Sequence, residues 1–140
     1  IAEELVFRVW LFEELNLFFK PRRANLYQAI LFSLVHFRSD FDIVSNIQLL
    51  VGLFILGLYL NSWRLMQKTT VLLPISFHGS LVGVWFFFTN SLMTINKNIP
   101  NLIFGPGEGI NFNPVGGLIG IVILLLLYYF QKRYFLRSGF

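Results

Sequence analysis

Apolar residues fall along the chain in five blocks separated by polar or proline-containing breaks. The blocks run Ala2–Phe19, Ala24–Phe37, Ile47–Trp63, Val71–Met93 and Val115–Gln131. A membrane-spanning helix needs about 20 residues, with a working range of roughly 17 to 25. Four blocks meet or approach that length, whereas the second, at fourteen residues, is too short to cross squarely. A helix that ends inside a bilayer is tolerated only where the following loop is buried in protein or lines a wet cavity. The pattern predicts an all-α, polytopic transmembrane bundle of about five helices, the second one short. Residues 1–140 form a single membrane-embedded domain. Lys20-Pro21-Arg22-Arg23 is expected to break the first helix. The stretch Thr94–Pro114, rich in Asn, Gly and Pro, reads as a loop. Asn113-Pro114 then supplies a cap and a first-turn proline for the last helix.

Composition agrees with a bilayer. Apolar residues make up 56% of the 140 and charged residues only 13%, and 17 residues are Phe. A small soluble domain has a large surface to cover and needs more charge than this. A disordered chain could not carry so much apolar side chain. With no Cys, disulfides, thiolate nucleophiles and Cys-ligated metals are excluded. The net charge of +4 does not indicate nucleic acid, because the cations form short clusters between apolar blocks rather than a basic face. If all five blocks cross, Lys20, Arg22, Arg23, Arg64, Lys68, Lys132, Arg133 and Arg137 share one side. Arg38 and Lys97 take the other. Eight against two is the asymmetry expected when the eight face the cytoplasm. The chain opens at Ile1 rather than Met, and helices upstream of it are expected.

Ionisable groups at membrane depth are costly and become functional candidates by default. Here they are Glu3, Glu4, Arg8, Glu13, Glu14, His36 and His78. Glu4 and Arg8 are four apart with the acid first, the favourable order for a helical ion pair. Glu3 lies about 100° round the helix and cannot share Arg8 equally. One acid is thus fixed by Arg8, while the other remains available as a general base. The competing reading solvates both acids at the interface, where they favour the positive helix end. Glu13 and Glu14 have no basic partner at i+4 and are expected near the cavity or the Lys20–Arg23 end. His36 alone would pass for a hydrogen-bonded structural residue. His78 sits deep in a long apolar block and is harder to dismiss. At about 1.5 Å per residue, His78 lies roughly 10 Å and His36 roughly 18 Å from the same side, so the two meet only near mid-depth. Gly79 with Gly83, and Gly116 with Gly120, are small-x-x-x-small pairs expected to pack against neighbouring helices.

Together these residues resemble the CAAX-protease-like family of integral membrane proteins, also called the CPBP or Abi family and part of the type II CAAX prenyl endopeptidase superfamily. Its signatures are Glu-Glu-x-x-x-Arg, Phe-x-x-x-His and His-x-x-x-Asn on successive helices. The first is complete as Glu3, Glu4 and Arg8, and the second as Phe32 and His36. The third begins at His78 but has Val82 in place of Asn. Gly52 to Gly57 is similar to the family's glycine-containing helix. The likeness covers about residues 2 to 95. It implies an intramembrane endopeptidase of glutamate type acting on a membrane-associated peptide or protein. Glu3 would activate water, His36 would assist, and His78 would help hold the oxyanion. The resemblance implies a site without metal and no cofactor. A zinc site on His36, His78 and a Glu stays open from the residues alone. A non-catalytic scaffold that binds a protein partner through its helices is the alternative function. The implied location is a bacterial inner membrane. A thylakoid is the other option, because the His-Gly third motif and Asn113–Gly117 look like cyanobacterial and plastid members.

Overall fold

The computed structural model describes residues 2–67, 70–92, 100–107 and 112–137. The expectations for Lys68, Met93, Lys97, residues 94–99 and 108–111 of the Thr94–Pro114 loop and the Arg137 side chain lie outside what it describes. Among the described residues every regular element is helical. The order is α1 (Ala2–Glu4), π1 (Leu5–Leu11), α2 (Phe12–Phe18), α3 (Pro21–Leu34), α4 (Ile43–Gln67), α5 (Leu72–Phe87), π2 (Phe88–Leu92), α6 (Asn101–Phe104), a 3-10 turn (Pro114–Gly116) and α7 (Leu118–Arg137).

Two of the described helical stretches, Ile43–Met66 and Leu72–Leu92, are long and apolar enough to cross a membrane. They differ in position. In the first, 56% of its most apolar window is buried within the molecule, against 6% in the second, so α4 is the central helix and α5 lies at the periphery. The core forms where α4 meets α3 and α7. Phe32, Leu49, Leu56 and Leu60 are almost wholly buried there, with Leu124 beside them. Gly57 faces Ala29 and Phe32 and lets α3 approach α4 closely. A second glycine of α4, Gly52, faces the backbone carbonyl of Val115, where no side chain could fit. The stretch 112–116 is therefore seated directly on the central helix.

Several boundaries differ from the sequence expectation. The first block is one continuous rod through αR backbone at Glu4 and Leu11, but its middle, Leu5–Leu11, is wound as a π-helix. The wider i→i+5 winding is rare and concentrates at functional sites. The second helix has the expected fourteen residues, shifted three positions toward the N-terminus. Pro21 occupies the first helical position, where its missing N–H costs nothing, so Arg22 and Arg23 are helical rather than in a loop. The shift leaves His36 just beyond the helix end. α4 starts at Ile43, earlier than Ile47, because Asp42 caps it: its carboxylate accepts from the N–H groups of Val44 and Ser45 at 2.8 and 3.0 Å. The Ser45 hydroxyl and these N–H groups hold the Asp42 carboxyl below the usual carboxylate range. Asn113-Pro114 caps the separate 3-10 turn, and α7 begins only at Leu118. Gly116 packs on Leu49 and Pro106 from that turn rather than from a helix face, and Gly120 packs on Pro114. A side chain added at Gly79 or Gly83, expected to be a packing face, would meet nothing within 4 Å among the described residues. Glu13 pairs with Arg64 of α4 at 3.0 Å.

The glycines make a paired test. Gly52→Ala drives a methyl into the Val115 carbonyl and is expected to destabilise the protein by about 1–3 kcal/mol. Gly79→Ala has open space and better helix propensity, so its melting temperature in detergent should match or exceed that of the wild type.

Candidate active site

Arg8 organises the site, because its guanidinium is fully buried and must be compensated within the protein. Its side chain is 0% exposed and that of Glu4 1%, and the two form an ion pair at 3.3 Å. The guanidinium also lies 4.1 Å from the ring centroid of Phe32, a cation–π contact strengthened by desolvation. Phe32 is completely buried and is braced edge-on by Phe7, with ring centroids 5.2 Å apart. Its ring also packs on His36 at 4.8 Å and His78 at 6.1 Å. One aromatic side chain thus touches the arginine and both histidines. The sequence motif contains Phe32, but spacing alone gives it no role.

Both imidazoles are oriented through Nδ1. His36 follows the last turn of α3, where helix carbonyls have no intrahelical partner. Its Nδ1 lies 2.7 Å from the Phe32 carbonyl oxygen, which can only accept, so Nδ1 carries the proton and donates. His78 Nδ1 lies 2.7 Å from Oε1 of Glu4. Glu4 faces Arg8 with its other oxygen, so His78 again donates from Nδ1 to an acceptor. In both rings Nε2 is left facing the same place: His36 Nε2 is 3.7 Å and His78 Nε2 3.9 Å from Oε2 of Glu3. Fixing one ring nitrogen to define the chemistry of the other is a familiar way of setting histidine function.

The two adjacent glutamates therefore have opposite surroundings. Glu4 is buried between Arg8 and His78, whereas the Glu3 side chain is 50% exposed and faces a cavity of about 450 Å³. Glu3, His36, Arg38, His78, Thr89 and Asn113 supply the polar part of its wall, and residues of α4 and α5 the apolar part. The structure brings Glu3, Glu4, Arg8, His36 and His78 into one cluster. Neither Glu13 nor Glu14 is among the residues that line the cavity. Val82, at the position of the expected Asn, lines the cavity and offers no donor. Arg38, Thr89 and Trp85 also line it, and no sequence motif marked them; Asn113 lines it as well, where the sequence reading gave it a capping role only. Among the described residues no group of three His, Cys, Asp or Glu side chains is arranged to hold a metal ion.

The glutamate–histidine cluster sits in an all-helical bundle in which two described helical stretches are long and apolar enough to cross a membrane. The chain belongs to the Rce1-like family, the type II CAAX prenyl endopeptidase Rce1-like group, whose family model matches residues 1–84. Neither the curated proteins nor the solved structures provide a match. The matched range contains all five clustered residues and ends before π2.

Removing one member of the buried pair exposes the dependence on Arg8. Glu4→Ala leaves the guanidinium buried without a counter-charge and is expected to cost about 3–5 kcal/mol. Glu3→Ala, at a half-exposed position, should cost under about 1 kcal/mol. Replacing both partners, as in Glu4→Leu with Arg8→Met, should recover most of the loss. Thermal unfolding of the wild type and these three variants in one detergent measures the differences.

Proposed function

We propose that the chain is a glutamate-type intramembrane endopeptidase that hydrolyses a peptide bond in a membrane-associated peptide or protein. The observation that carries this reading is the convergence of two Nε2 atoms on Oε2 of Glu3 at the wall of a cavity. A carboxylate and an imidazole nitrogen 3.7 Å apart are too far for a direct hydrogen bond and suited to sharing a water molecule. Glu3 takes a proton from that water as its oxygen attacks the carbonyl carbon. The C=O π electrons move onto oxygen, and His78, as an imidazolium whose Nδ1–H is held by Glu4, presents Nε2–H to the developing charge. Collapse of the intermediate breaks the C–N bond, and the proton held on Glu3 passes to the leaving amine. Water is consumed, and a carboxylate and an amine are released. Glu4 and Arg8 do not react in this scheme. They hold His78 in place, so they are positioning residues.

Val82 favours a second reading, a non-catalytic membrane scaffold that binds a protein partner, because the cavity lacks the amide expected on α5. Turnover separates the two. Glu3→Gln keeps the shape and removes the base. It is expected to lower kcat by about 100- to 10,000-fold on a peptide cleaved by the wild type in nanodiscs, with helicity by circular dichroism unchanged. Activity should persist in EDTA. Unchanged turnover in Glu3→Gln would sink the glutamate mechanism, and chelator-sensitive turnover would favour zinc.

A further inference from the structure

The cavity has a second polar wall, built from residues beyond the 84 that match the family model. The stretch 112–115 is tied down from three directions. The Trp85 indole N–H donates to the Phe112 carbonyl at 3.0 Å, and the two rings pack with centroids 5.6 Å apart. The Asn113 N–H donates to the Pro106 carbonyl at 2.8 Å. Gly52 admits the Val115 carbonyl against α4. Asn113 is thereby held on the same cavity as Glu3 and both histidines.

The orientation of the Asn113 amide follows from its own bond. Oδ1 accepts the Val115 N–H at 3.0 Å, which an NH2 group could not do, so Nδ2 is the other corner of the amide. Nδ2 has no acceptor among the described residues. The other neutral donors on the wall are committed: the Thr89 hydroxyl to the Trp85 carbonyl at 3.0 Å, and the Trp85 N–H to Phe112. Val82, 57% exposed, has none to give. A tetrahedral intermediate puts a full negative charge on the former carbonyl oxygen, and preoriented donors are most effective there.

We infer that Asn113 Nδ2 is an oxyanion donor, completing with His78 the site left incomplete by Val82. The inference rests on the hydrolytic reading above. Asn113 transfers no proton. Its N–H bonds to the oxygen whose charge grows as water adds to the carbonyl carbon, and the bond weakens as the C–N bond breaks. The cap to Val115 fixes the amide before substrate arrives, so little reorganisation accompanies the reaction.

The test uses the full chain in nanodiscs and a peptide selected for turnover by the wild type. Asn113→Ser retains a neutral oxygen able to cap Val115 but is too short to reach the substrate. It is expected to lower kcat about 100- to 1000-fold, with KM within about threefold and the melting temperature near that of the wild type. Affinity for a phosphinate analogue of the same peptide should fall in parallel with kcat. Affinity for the intact peptide, measured on Glu3→Gln, should not change when Asn113→Ser is added. Val82→Asn placed on Asn113→Ser should restore part of kcat. Turnover of Asn113→Ser within about threefold of the wild type, with Glu3→Gln inactive, would overturn the role of Asn113 and leave hydrolysis standing. An active Glu3→Gln would bring down the hydrolytic reading, and the Asn113 assignment with it.

Discussion

A guanidinium with no exposed surface is the constraint from which the rest of the site follows. Arg8 is buried in a chain that is mostly apolar, and an uncompensated charge there would cost several kcal/mol. Compensation comes from the Glu4 carboxylate on one side and the Phe32 ring face on the other. Each partner then carries the order outward. Glu4 has a second oxygen, and it holds His78. Phe32 has a second ring contact and a backbone carbonyl, and both meet His36. Two histidines on different segments are positioned from one buried cation, and Glu3 stands where their outer nitrogens meet. A buried ion pair adds little net stability compared with apolar residues of the same volume. Its value here is positional.

Adjacent residues acquire different chemistry by facing different surroundings. Glu3 and Glu4 are the same amino acid on consecutive positions, and successive helical positions point in different directions. That rotation places one carboxylate inside the bundle and the other on the cavity wall. The π winding that starts at Leu5 lies directly after this pair and carries Arg8. A hydrolytic residue needs both water and a partly apolar environment. The half-exposure of Glu3 beside two imidazoles suits the role proposed for it, while Glu4 is almost fully enclosed.

The part of this arrangement legible in sequence is the part encoded by local spacing and by scarcity. Charge is so thin in the apolar blocks that Arg8, Glu4, Glu3, His36 and His78 stand out, and the i, i+4 relation of Glu4 to Arg8 is a property of helical winding. Block lengths also carry the all-helical architecture and the short second helix. Finer features depend on contacts that no single block contains. Whether Arg22 belongs to a loop or a helix turns on Pro21 taking the first helical position, and that choice moved His36 off the end of α3. The pairing of Glu13 with Arg64 joins residues 51 positions apart. Gly79 and Gly83 have the spacing of a packing face, yet spacing says nothing about whether a helix is present to use it.

The same distinction explains why the sequence reading gives Asn113 a capping role and no place on the cavity wall. Motifs record residues whose relative placement is fixed by one helix, and Val82 occupies such a place four residues after His78. Asn113 is 35 residues from His78 and reaches the cavity through a 3-10 turn, an indole hydrogen bond and a glycine that clears space on α4. None of those devices has a fixed spacing from the segments that carry Glu3, His36 and His78. A donor delivered by a loop is also easier to move than one on a helix, because a helical position is tied to the register of every other residue on that face. An amide that α5 does not carry can therefore be supplied from the 112–115 stretch without disturbing the Arg8 cluster, provided that stretch is anchored as firmly as a helix would be. The bonds of Trp85 to Phe112, Asn113 to Pro106 and Val115 to Asn113 provide that anchoring.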